Sequence, residues 1–190
     1  MAYSCAYWER EGMTLEQAQH AKFRRICEKL RLGADDHVLE IGCGWGGFAI
    51  HAAREHGCRV TGITISAAQA ALASERVAEA GVADRVEILE RDYRLVDGSY
   101  SRVASIEMFE AIGLAEYETY FGALDRFLAP GGVAVIQTIG IPDERFERYR
   151  RTPDWMQQYI FPGSLLPSVE SIARAVATTR MSSGSQALSA

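Results

Sequence analysis

The 190-residue sequence predicts an α/β fold with a doubly wound, mainly parallel sheet. Three observations carry that expectation. Short apolar runs alternate with helical stretches of about 10–15 residues, the rhythm of crossover units. The runs themselves are nearly continuous in apolar residues, as strands covered on both faces require. The first of them ends on a cluster of glycines, where such folds turn from strand into helix.

The elements follow in order. Residues 14–31 read as a helix: Thr14 and Gln17 form a capping box, and Leu15, Ala18, Ala21, Ile26 and Leu30 recur near helical spacing. The link Gly33-Ala34-Asp35-Asp36 leads to a first strand, Val38 to Ile41, and residues 47–56 read as a helix. Arg59 to Ile65 is a second strand, after which Ser66 caps an alanine-rich helix ending before Gly81. Arg85 to Leu89 and Tyr100 to Ile106 are the third and fourth strands. Leu114 to Leu128 is an amphipathic helix stopped by Ala129-Pro130-Gly131-Gly132, and Val133 to Ile139 is the fifth strand. Asp143 to Arg151 is a charged helix. Residues 155–168 mix aromatics with proline and glycine. One domain over residues 1–177 and a low-complexity tail over 178–190, weakly packed or disordered, are expected.

Composition narrows the function classes. Lys and Arg number 20 against 25 Asp and Glu, a net charge of −5, which disfavours a broad nucleic-acid footprint but allows a local basic face at a membrane. No apolar run approaches the roughly 20 residues of a spanning helix, and the first residues lack the pattern of a secretory signal. Four scattered cysteines without a C-x-x-C pair suggest neither zinc nor disulfides, so a cytoplasmic protein with reduced thiols is expected.

Gly42, Gly44 and Gly46 let the chain turn sharply, admit a ligand to the backbone and open a helix whose first N–H groups are free. Alone, that pattern fits a dinucleotide or S-adenosylmethionine. Three features favour the latter. Glu40 precedes the loop, giving Glu-x-Gly-x-Gly-x-Gly, which resembles motif I of class I methyltransferases. The second strand ends at Thr64 without the acidic residue that reads a dinucleotide's ribose. Asp92-Tyr93 follows the third strand, where methyltransferases commonly read the adenine amino group.

Beyond these, Tyr3-Ser4-Cys5-Ala6-Tyr7-Trp8, Leu15 to Gln19, Ile41 to Gly47, Gly62 to Ser66, Asp92-Tyr93-Arg94, Ser105 to Glu110 and Ile160-Phe161-Pro162-Gly163 occur in order. Together they resemble the cyclopropane-fatty-acyl-phospholipid synthase family over about residues 3–176. The resemblance implies a Rossmann-like class I methyltransferase fold and S-adenosylmethionine at Tyr3, Ser4, Glu40, Gly42, Cys43, Gly44, Gly46, Thr64, Ser66, Gln69, Asp92 and Tyr93. It implies methyl transfer to a cis double bond of a phospholipid acyl chain, giving a cyclopropane or methyl-branched product. A bound bicarbonate as base is implied at Cys5, Glu110, Gln137 and the backbone at Ile139. Glu107 is expected to be a polar lining residue. Location at the inner membrane surface follows from such a substrate.

Two departures matter. Gln137 and Ala111 stand where well-known members carry histidine, and glutamine can donate to an anion but cannot carry a proton. A branch with a methyl-branched or methylene product, or another lipid, is compatible with that change. Relatives also add two more strands and a tyrosine that touches bicarbonate. The expected sheet therefore lacks its last strands, leaving an open edge through which copies could associate, and a truncated fragment without catalysis is one reading. Methyl transfer to a soluble small molecule is another; a dinucleotide oxidoreductase is the distant one. Arg145, Arg148, Arg150 and Arg151, with Tyr149 and Trp155, suit either a basic-aromatic lid on lipid headgroups or a solvated face paired with Glu144 and Glu147.

Overall fold

The computed structural model describes residues 2–182. Its elements run α1 (Leu15–Leu30), β1 (His37–Ile41), α2 (Gly47–His56), β2 (Arg59–Thr64), α3 (Ala67–Glu79), β3 (Val86–Glu90), β4 (Tyr100–Ile106), α4 (Tyr117–Phe127), β5 (Leu128–Gln137), α5 (Asp143–Tyr149) and α6 (Val169–Val176). Among the described residues the strands form one sheet in the order β3-β2-β1-β4-β5, every neighbour parallel. The chain starts in the middle, winds outward to β3, then returns past β1 to wind the other way. That reversal between β1 and β4 is the doubly wound arrangement expected, and it places a crevice at the carboxyl ends of the two central strands.

Strand periodicity distributes the core. Val38 faces one side of the sheet, where it packs with Phe23, Ile26 and Leu30 of α1, Phe48 and Ala52 of α2 and Val77 of α3. Leu39 and Ile41 face the other side, with Val103, Phe109, Tyr120, Phe121, Leu124 and Phe127. The second layer is dense in rings: Phe109 lies 4.5 Å from Tyr117 and 5.0 Å from Tyr120, centroid to centroid. Glu40 shares the inward face of Val38 and is therefore buried between the sheet and α1–α2.

Most elements match the expected ones, and Thr14 and Gln17 close their capping box. Three differences have physical causes. The helix expected over 114–128 begins as a 3-10 turn, Leu114–Glu116, before α4. The stop sequence at residues 129–132 lies inside β5 rather than before it. Tyr100 pairs with Leu128 and Arg102 with Val133, so four residues of β5 stand opposite the single Ser101, as suits a proline without an N–H and a glycine at φ 77°. Helix α6 was not expected; Ser168 and Ser171 cap its start reciprocally, and its Ala175 and Val176 join the ring-rich core.

Of the tail expected from residue 178, residues 178–182 are described and the rest lies outside the described residues. Thr178 and Thr179 hydroxyls donate to Ala175 and Val176 carbonyls, and Arg180 pairs with Asp125 at 3.0 Å. No helix of the described residues is long and apolar enough to cross a membrane.

Candidate functional site

The glycine loop joins β1 to α2 directly. Gly42, Gly44 and Gly46 have φ of 80°, 53° and 75°, the left-handed region where a β-carbon is penalised. Gly42 carries a second constraint: a β-carbon there would stand 2.8 Å from Met108 Cγ and 2.9 Å from Met108 Cβ. The loop is held on the sheet by Gly42 and Cys43, whose N–H groups both donate to the Ile63 carbonyl. Cys43 turns its thiol inward, where burial raises its pKa, so only its backbone faces the loop's outer side.

A cleft opens above this turn, lined by Tyr3, Ser4, Glu40, Gly42, Gly44 and Phe48. The N-terminal segment forms its far wall because α1 anchors it. Tyr7 N–H donates to the Ala18 carbonyl, Gln19 Nε2 to the Ser4 carbonyl at 2.7 Å, and Lys22 Nζ to Ser4 Oγ at 2.5 Å. Lys22 is 3% exposed, and burial lowers its pKa to about 8 despite the attraction of Glu107, Cys5 and Glu40. The sequence reading missed it. The available signal was its position: with Ala18 and Ile26 it falls at i, i+4, i+8 on the inward face of α1, an unusual place for lysine.

Glu40 is 2% exposed, and burial raises its carboxyl well above the usual range, opposed by the Ala49 N–H and the Lys22 charge. Its Oε2 has no hydrogen-bond partner, an orphan acceptor on the wall of the cleft. A donor-bearing or cationic ligand suits that atom.

The β2 end brings Thr64, Ser66 and Gln69 together. Thr64 Oγ1 lies 2.6 Å from Gln69 Oε1 and accepts from Ser66 N–H, while Ser66 Oγ caps α3 through Gln69 N–H. Gln69 Nε2 reaches Tyr3 OH at 3.4 Å, so the N-terminal segment and the β2 end meet. Asp92 and Tyr93 follow β3 in adjacent register, Arg91 N–H donating to the Thr64 carbonyl. Asp92 is committed locally: it accepts from Arg94 N, Nε and Nη2, which holds its carboxyl below the usual carboxylate range. Tyr93 packs edge-on against Tyr120 at 5.5 Å.

The expected anion-holding residues converge on the β4 and β5 ends. Glu110 Oε1 accepts from Ile139 N–H at 2.5 Å, and its Oε2 is buried without a partner; burial raises the carboxyl's pKa. Gln137 and Cys5 meet at Glu107, whose Oε1 accepts from Gln137 Nε2 at 2.8 Å and from Cys5 N–H at 2.9 Å. Glu107 sits at φ 51°, one of only two non-glycine residues with positive φ among those described. Cys5 is exposed, whereas Cys27, Cys43 and Cys58 are buried.

Comparison with known proteins shows the family to which the chain belongs. Residues 1–184 match the family model described as mycolic acid cyclopropane synthetase. The chain belongs to this family. It is 43% identical over 174 residues to the cyclopropane-fatty-acyl-phospholipid synthase of Escherichia coli K12, covering 92% of this chain and 43% of that protein. It is likewise 43% identical to the tuberculostearic acid methyltransferase UfaA1 of Mycobacterium tuberculosis, covering 90% of this chain and 42% of that one. The chain thus spans less than half the length of these relatives. Among solved structures, mycolic acid cyclopropane synthase CmaA1 complexed with SAH and CTAB superposes with a TM-score of 0.85, at 32% identity over 94% of this chain and 66% of that chain. This family membership accounts for the parallel sheet with its flanking helices.

Proposed function

We propose that the chain provides the cofactor half of an S-adenosylmethionine-dependent methyltransferase acting on cis double bonds of phospholipid acyl chains. The observation that carries the cofactor assignment is the orphan Glu40 Oε2 on the wall of the glycine-loop cleft. When bound, S-adenosylmethionine would supply an electrophilic sulfonium methyl group and a cationic methionine end. Glu40 would receive that cationic end, Gly42 and Gly44 would admit it to the backbone, and Tyr3 and Ser4 would close over it. Thr64, Ser66 and Gln69 sit where the ribose side would lie, and Asp92 with Tyr93 on the adenine side. Asp92 must share its oxygens with Arg94 to do so, which makes it the weakest member of that set.

An alkene is a poor nucleophile, so orientation and exclusion of water have to do most of the work. After methyl transfer the acceptor is cationic. The carboxylates of Glu107 and Glu110 at the β4 end would stabilise such a charge. Between α5 and α6 the chain exposes Trp155, Met156, Tyr159, Ile160 and Phe161 on a π-helical turn, an apolar surface that suits acyl chains at a membrane. The neighbouring arginines are less free than a headgroup site would want. Arg150 and Arg151 both pair with Glu147, and Arg145 and Arg148 line a second cleft with Tyr149. On this reading the protein works peripherally at the inner membrane surface, and the β5 edge is where further strands or a second copy would add.

The test is calorimetric titration with S-adenosylhomocysteine, then incubation with labelled S-adenosylmethionine and unsaturated phospholipid vesicles, reading the acyl chains by mass spectrometry. Binding with a mass gain on the acyl chain is expected. Failure to bind overturns the cofactor assignment. Unmodified lipid from a preparation that does bind, extended to the relatives' length, overturns the substrate.

A further inference from the structure

The family resemblance assigns Cys5, Gln137, Glu110 and the Ile139 backbone to a small added anion, yet the structure has already filled that cradle. Cys5 N–H and the Gln137 amide converge on one atom, Glu107 Oε1, at 2.9 and 2.8 Å. The Cys5 thiol is also hydrogen-bonded to Glu107, and Lys22 lies close enough for Glu107 to favour its charged form. Ile139 N–H is taken by Glu110 Oε1. The unpartnered atom of the cluster, Glu110 Oε2, is an acceptor that asks for a proton donor. A bicarbonate ion entering here would find its donors engaged and would stand between two carboxylates, where like charges repel. The added anion does not fit these residues.

The backbone keeps Glu107 in place. At φ 51° its side chain is thrown toward Cys5 and Gln137, and its own N–H donates to the Gln137 carbonyl at 2.8 Å. A carboxylate carries the same charge and the same acceptor geometry as bicarbonate.

We propose that Glu107 is the resident substitute for the anion: its carboxylate occupies the cradle formed by Cys5 and Gln137 and acts as the base. The assignment rests on the methyl-transfer reading above. Transfer of the methyl group to one alkene carbon leaves the other cationic. Glu107 then takes a proton from the new methyl group, and the electron pair of that C–H bond forms the bond to the cationic carbon, closing the ring. Cation and carboxylate become neutral ring and carboxylic acid, and the proton passes from Glu107 to water. Gln137, which cannot carry a proton, serves as a positioning residue for Glu107.

The experiment uses the chain in carbon-dioxide-depleted buffer and follows the carbon-13 NMR line width of labelled bicarbonate. Glu107→Gly removes the carboxylate at a position whose φ suits glycine. The wild-type chain should not bind bicarbonate, and Glu107→Gly should bind it at least about tenfold more tightly, because two donors lose their partner. Equal binding by both, or binding by neither, overturns the proposal. If Glu107→Gly does not fold by circular dichroism, Glu107→Asn is read by the same criteria, since asparagine also tolerates this φ. Calorimetry with S-adenosylhomocysteine runs in parallel. Loss of that binding in the wild-type chain defeats the methyltransferase reading, while the bicarbonate comparison still decides what fills the cradle.

Discussion

Replacing Gly42 by alanine tests whether the loop's shape is dictated by backbone and space together. Alanine at φ 80° carries a penalty of about 1–2 kcal/mol for the left-handed conformation. Its β-carbon also meets Met108 Cγ and Cβ at 2.8 and 2.9 Å, too close for either atom to stay, and overpacking of that kind costs about 1–3 kcal/mol more. The expected loss is therefore roughly 2–5 kcal/mol, with S-adenosylhomocysteine affinity falling as the turn shifts. Urea unfolding followed by tryptophan fluorescence measures it, Trp45 lying within the loop. The companion variant Met108→Gly removes both the Cγ and the Cβ atom. Gly42→Ala with Met108→Gly should then be less destabilised than the sum of the singles, by about 1 kcal/mol or more. Strict additivity of the two changes would refute the steric half of this reasoning and leave only the φ penalty.

Other expectations follow from burial and charge. Glu40 has a raised pKa, so above the ordinary glutamate range the native state holds more protons than the unfolded chain, and stability falls as pH rises, by up to about 1.4 kcal/mol per unit. Glu40→Gln should flatten that fall in urea midpoints measured from pH 5 upward, about the region where the unfolded carboxyl ionises; an unchanged slope would assign it to another group. Phe109, fully buried among Tyr117, Tyr120 and Phe121, should cost about 3–5 kcal/mol as Phe109→Ala, read by the same unfolding assay, and a loss under 1 kcal/mol would mean the ring cluster is not part of the cooperative core. Thiol labelling of the native protein should modify Cys5 alone, and slowly, since burial and Glu107 both raise its pKa. Cys27 and Cys58 are pushed up to about 12 and 11 by burial, and all four thiols should react after unfolding.

The fold was largely legible because its signals are local and redundant. Four strands were placed within a residue or two because each is a short apolar run bounded by turn residues. The β5 boundary was misplaced because Pro130 and Gly131 read as a terminator; pairing of Leu128 with Tyr100 on the neighbouring strand overrides that reading. Helix α6 was missed because serines at both box positions are a weaker pattern than threonine with glutamine. For the site, the glycine loop and the Thr64–Gln69 cluster were visible as motifs. Lys22 was passed over, and Glu107 was read only as a polar lining residue, for a different reason. Each derives its meaning from contacts across the chain, Glu107 to Cys5 over 102 positions and Lys22 to Ser4 over 18. Their residue types alone fit an ordinary solvated surface. Cys5 shows the converse: a thiol among aromatics suggests a buried filler, yet it is exposed and its backbone N–H donates to Glu107 at 2.9 Å.

The long reach from Cys5 to Glu107 also sets an order of assembly. The Cys5 N–H can reach Glu107 only after β4 has been added beside β1, so this corner of the cleft wall closes late although its residues precede β1 in the chain. The Cys5 amide is then a clock. Its protection from hydrogen exchange should appear later than that of β1 or α2 during refolding, and it should be the first to be lost when the native state opens locally.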